Sequence, residues 1–77
     1  MIVNILGAGS WGLALSHLLS KNNCNVKVWL RNNDKTIELN SSRIHPKLPK
    51  YKINPEITFT SNLYDLDFKN LTIIALP

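Results

Sequence analysis

At 77 residues the chain is short for a domain, and a sheet built from it leaves much of its apolar surface uncovered. Apolar residues at 44% against 18% charged exclude a disordered chain, and no apolar run is long enough to span a bilayer, so membrane insertion is excluded too. Met1 leads into a strand-like segment with no basic leader or cleavage site, which makes the cytoplasm the expected location. The net charge of +4 is concentrated in Arg43, Lys47, Lys50 and Lys52, a stretch free of acids. Such a stretch attracts polyphosphates, but no nucleic-acid recognition motif accompanies it, and it reads as a solvated basic loop rather than a nucleic-acid site. Cys24 is the single cysteine, which rules out an internal disulfide and makes a poor metal site. It is expected as a small core or strand-edge residue.

Along the chain, Ile2, Val3, Ile5 and Leu6 form a nearly continuous apolar run ending at Gly7, the pattern of a parallel strand covered on both faces. From Ser10 the period changes. Trp11, Ala14, Leu15, Leu18 and Leu19 recur at helical spacing and predict a core-facing stripe, with His17 on its solvated flank and Leu13 pointing away from it. Asn22 and Asn23 end that helix, because asparagine tolerates the left-handed conformation. Val26, Val28 and Trp29, interleaved with Asn25 and Lys27, make the second strand. Asn32, Asn33 and Asp34 then open a short helix running to about Leu39. From Asn40 to Pro55, prolines at 46, 49 and 55 predict a long irregular connection. Ile57 to Thr60 alternates as a third strand, Ser61 to Leu66 reads as a helical turn with a serine cap, and Leu71 to Leu76 is a fourth, strongly apolar strand.

Strands alternating with helices predict an α/β fold, and right-handed crossovers give a parallel sheet of order 3-2-1-4. This is the first half of a Rossmann-type sheet, an incomplete domain whose fourth strand is an open, aggregation-prone edge awaiting a partner. Between the first strand and the first helix stands Gly7-Ala8-Gly9-Ser10-Trp11-Gly12, a G-x-G-x-x-G in the setting where that pattern carries meaning. Gly7 permits the tight turn, Gly9 lets a pyrophosphate approach the backbone, and Gly12 allows close helix packing. The helix amides then face the phosphates. At the end of the second strand, where NAD-selective folds place an acid, the sequence has Arg31, and no carboxylate follows until Asp34. An arginine there pairs with a 2′-phosphate and stacks on adenine, which points to NADP, or to NAD and NADP alike.

The segments Met1 to Leu15, Val26-Lys27-Val28-Trp29-Leu30-Arg31-Asn32 and Ile73 to Pro77 resemble the N-terminus of bacterial NAD(P)-dependent glycerol-3-phosphate dehydrogenase in order and spacing. The resemblance assigns Ser10, Trp11 and Arg31 to cofactor contact beside Gly7, Gly9 and Gly12. It implies reduction of dihydroxyacetone phosphate to sn-glycerol 3-phosphate for phospholipid synthesis. It places the catalytic lysine, the substrate residues and a helical substrate domain after residue 77. Residues 1–77 are therefore expected to be the N-terminal portion of an NAD(P)-binding domain, with a nicotinamide dinucleotide as partner and with no catalytic or metal-binding residue of their own. The small phosphorylated substrate binds only the full-length protein, for which a homodimer is one open arrangement. The sequence departs from the family after Arg43, reading His45-Pro46-Lys47-Leu48-Pro49-Lys50-Tyr51 where a Tyr-Leu-Pro-Gly-like stretch is usual, so no contact is carried onto Tyr51. Other dehydrogenases with a related N-terminus (hydroxyacyl-CoA, ketopantoate or nucleotide-sugar enzymes) and a non-catalytic nucleotide-sensing module are the alternatives.

Overall fold

The computed structural model describes residues 1–45 and 48–76, so expectations resting on Pro46, Lys47 and Pro77 lie outside the described residues. In chain order the elements are β1 (Ile2–Leu6), α1 (Ser10–Lys21), β2 (Asn25–Trp29), α2 (Asn33–Ser42), β3 (Ile44–His45), β4 (Leu48–Lys52), β5 (Ile57–Thr60), a 3-10 turn (Leu63–Asp65) and β6 (Leu71–Ile74). β5, β2, β1 and β6 form one parallel sheet in that order, the expected 3-2-1-4 arrangement.

Register explains the core. Leu71, Val3, Val26 and Ile57 align across the sheet in one row, and Ile73, Ile5, Val28 and Phe59 in another. Side chains two apart on a strand share a face. Leu13 of α1, Leu39 of α2 and Ile53 close over these rows to make the hydrophobic core, and half-buried Cys24 packs at its margin as expected. The row between them, Thr72, Asn4, Lys27 and Thr58, belongs to the opposite face. There the connection from β5 to β6 supplies polar partners: Asn4 Nδ2 donates to the Asp67 carbonyl at 2.8 Å and Lys27 Nζ to that of Asp65 at 3.4 Å. Trp29 Nε1 donates to the Ser61 carbonyl at 3.0 Å. The connection's 3-10 turn is capped by Asn62, which accepts from the Tyr64 amide, and not by Ser61, whose hydroxyl reaches Asn33 instead.

α1 is rotated from the orientation its apolar spacing predicts, so that only Leu15 and Leu19 of the expected stripe reach the core. Leu13, expected to point away, is 4% exposed, whereas Trp11 is 68% and Leu18 57% exposed. The buried face is Gly12, Leu13, Ser16 and Ser20. Small side chains let the helix backbone come close to the sheet, and the two serines return their hydroxyls to the helix: Ser16 to the Gly12 carbonyl at 2.8 Å and Ser20 to that of His17 at 2.9 Å. A satisfied hydroxyl can be buried at little cost, so a count of hydrophobic residues misses this face. Leu15 and Leu19 pack at the core's edge, and His17 is half-buried rather than solvated. Asn23 adopts the left-handed conformation after α1, with φ 65°.

α2 starts where expected, with the Asn32 side chain accepting from the Lys35 amide at 3.1 Å, but it runs past Leu39 to Ser42. The connection after it is not wholly irregular. β3 and β4 form an antiparallel hairpin, pairing Ile44 with Lys52 and His45 with Leu48. Pro49 falls within β4, which is tolerable because both members of a two-stranded ribbon are edge strands.

Arg43 is not part of a solvated basic loop. Its backbone takes the left-handed conformation at the α2 C-cap (φ 58°), and its guanidinium donates to the carbonyls of Asn54 at 2.5 Å and Ile57 at 2.6 Å while lying over the Phe59 ring at 5.5 Å. Burial lowers its pKa, yet a guanidinium stays charged throughout the working pH range. Glycine would suit this backbone better, so what arginine contributes here is its side chain. Arg43→Gly is therefore expected to lower stability by about 2 to 3 kcal/mol, the loss of charged hydrogen bonds outweighing about 1 kcal/mol of relieved backbone strain. Denaturant unfolding checks this, and a variant as stable as the parent would refute the clamp. Lys50 and Lys52 remain exposed.

Candidate functional site

A crevice of 680 Å³ opens at the C-terminal ends of β1, β2 and β6. Its floor is the glycine loop, and each glycine is required by something different. Gly7 has φ 121°, its amide donates to the Trp29 carbonyl at 2.7 Å, and a Cβ there would sit 2.6 Å from the Ala75 carbonyl oxygen. At Gly12 an added Cβ would collide with the Gly7 carbonyl oxygen, so the first turn of α1 rests directly on the loop. Gly9 is different. Its backbone (φ −69°, ψ −177°) is open to any residue, and a Cβ there would meet nothing within 4 Å. Neither backbone strain nor packing demands glycine at this position.

The start of α1 has no side-chain cap and no acid in its first turn. Its leading amides and the positive end of the helix dipole are thus free to meet an anion. Ser10 and exposed Trp11 line the same crevice, and exposed Arg31 lines it at the end of β2. All six residues singled out from the sequence lie on this loop, at the base of α1 behind it, or across the crevice from it; Gly12 alone contributes packing rather than lining. Lys35 and Glu38, not singled out from the sequence, also line the crevice from α2. Their signal was present, since helical spacing from the Asn32 cap turns residues 35, 38 and 39 to one side.

The sequence model described as the NAD-dependent glycerol-3-phosphate dehydrogenase N-terminus matches residues 2–77. The chain belongs to this family. Among similar proteins, the glycerol-3-phosphate dehydrogenase [NAD(P)+] of Novosphingobium aromaticivorans is 40% identical over 76 residues, covering 97% of this chain and 23% of the relative. That of Carboxydothermus hydrogenoformans is 39% identical over 77 residues, again 97% of this chain and 23% of the relative. The crystal structure of glycerol-3-phosphate dehydrogenase from Coxiella burnetii superposes with a TM-score of 0.82 at 25% identity, covering 95% of this chain and 23% of that one. The chain thus spans just under a quarter of the length of these dehydrogenases and corresponds to their N-terminal part.

A second, smaller groove of 290 Å³ lies between α1 and the β4–β5 segment, lined mainly by apolar atoms of Leu13, Ala14, Ile53 and Ile57 with His17 and Lys52 beside them. Among the described residues no cluster of His, Cys, Asp or Glu could hold a metal ion, and no helix is long and apolar enough to cross a membrane.

Proposed function

We propose that these residues bind the dinucleotide of an NAD(P)-dependent glycerol-3-phosphate dehydrogenase, which reduces dihydroxyacetone phosphate to sn-glycerol 3-phosphate. The observation that carries this reading is Gly9, a glycine that neither backbone nor packing demands, facing open space beside an uncapped helix start. A pyrophosphate fits that space because it needs amide donors and no intervening Cβ. Gly7 and Gly12 shape the loop, Ser10 and the first α1 amides hold the phosphates, and Trp11 covers the loop's open side. Arg31 meets the adenosine end of the cofactor. When bound, the nicotinamide supplies the hydride for carbonyl reduction. The family assignment supports the reaction, while the residues that touch the substrate belong to the remainder of the dehydrogenase.

Cofactor preference gives the test. A guanidinium across the crevice can pair with a 2′-phosphate, and no carboxylate neighbours it on β2 to favour a free ribose hydroxyl. Arg31→Ala is expected to weaken NADPH binding about tenfold and NADH binding much less. Titration of both cofactors against both proteins reads the ratio. Equal losses would leave adenine stacking as the role of Arg31 and remove the 2′-phosphate contact.

A further inference from the structure

We infer that Lys35 is a second cation of the 2′-phosphate subsite, acting with Arg31 and opposed by Glu38; this deepens the dinucleotide reading and rests on it. The crevice has two walls of different character. On the α1 side the helix start is uncapped and free of acids, so backbone amides can hold the pyrophosphate. On the α2 side that device is weakened: the Asn32 side chain already accepts the Lys35 amide, and Asp34 places a negative charge in the same first turn. An anion at the β2 end must therefore be held by side chains. Two cationic side chains line this wall, Arg31 from the end of β2 and Lys35 from the first turn of α2.

Lys35 cannot copy the planar two-point contact of arginine, but its ammonium adds a point charge with three donors on a long, mobile stem. Glu38 stands three residues further along α2 and also lines the crevice. At that spacing both residues lie on one side of α2, and a carboxylate on the crevice wall repels an incoming phosphate. Two cations and one acid make a wall that accepts a doubly charged 2′-phosphate without excluding a neutral ribose hydroxyl. The relatives' designation as NAD(P)+ enzymes agrees with such tolerance.

The experiment measures dissociation constants of NADPH and NADH for the full chain and its Lys35→Ala and Glu38→Gln variants, with circular dichroism confirming that these exposed substitutions leave the fold intact. Lys35→Ala should weaken NADPH about fivefold and leave NADH within about twofold, the size expected for a solvent-exposed pair. Glu38→Gln should tighten NADPH by about two- to threefold, and both effects should shrink as salt screens them. As a probe lacking nicotinamide, 2′,5′-ADP should follow NADPH. If the parent protein binds the dinucleotides but Lys35→Ala changes both alike, or neither, the inference is overturned and the dinucleotide reading stands. If the parent protein binds neither dinucleotide, both fall.

Discussion

Gly9→Val is expected to weaken dinucleotide binding at least about a hundredfold while leaving the fold in place. The two halves of this expectation come from one geometry. In the free protein a Cβ at Gly9 meets no atom within 4 Å, and the backbone lies in the extended region where a β-branched residue is at ease. The substitution should cost stability only through a poorer helix N-cap, of order 1 kcal/mol or less. What the isopropyl group does occupy is the space where the pyrophosphate must approach the loop amides. Far-ultraviolet circular dichroism and denaturant unfolding would report a folded variant, and titration with NADH and NADPH would report the loss. A folded variant that binds both cofactors normally would reduce the glycine loop to a turn.

Gly12→Ala should show the reverse pattern, a large loss of stability. In an exposed helix interior, replacing glycine by alanine stabilises by about 1 kcal/mol, because alanine is the better helix former. Here the sign is inverted. The new methyl would collide with the Gly7 carbonyl oxygen, and Gly7 cannot retreat, since its positive φ and the neighbouring Ala75 carbonyl fix it in place. Relief requires α1 to move off the loop, away from the sheet against which Leu13, Ser16 and Ser20 are buried. Overpacking of a tight contact costs about 1 to 3 kcal/mol, occasionally more, which outweighs the gain in helix propensity. Thermal or denaturant unfolding should place the variant about 2 kcal/mol below the parent, with binding weakened as a consequence of the displaced helix start. A variant of equal or greater stability would mean that α1 and the loop separate easily, contrary to the packing described.

The contrast between these glycines separates what the sequence determines from what folding adds. The strands were legible because a buried parallel strand must be apolar on both faces or find hydrogen-bond partners, and runs such as Val26 to Trp29 and Ile57 to Thr60 leave little freedom in register. Strand order followed from the alternation of strands and helices, with right-handed crossovers, in a Rossmann-type sheet. The glycine spacing located the crevice, and Arg31 marked its far wall, because both are local features of strand ends. Tertiary structure alone decided which side of α1 is buried. The spacing of Trp11, Ala14 and Leu18 carries a clear helical period, yet the sheet accepts Gly12, Ser16 and Ser20, whose small size permits close approach and whose hydroxyls bond within their own helix. Arg43 is the companion case: in the sequence it is one of four basic residues in a row of loop positions, and only the return of residues 54 and 57 to the end of α2 gives its guanidinium two carbonyls to bind. Sequence patterns report which groups must avoid water. Which groups meet each other depends on distances that the chain acquires only when residues far apart in sequence are brought together.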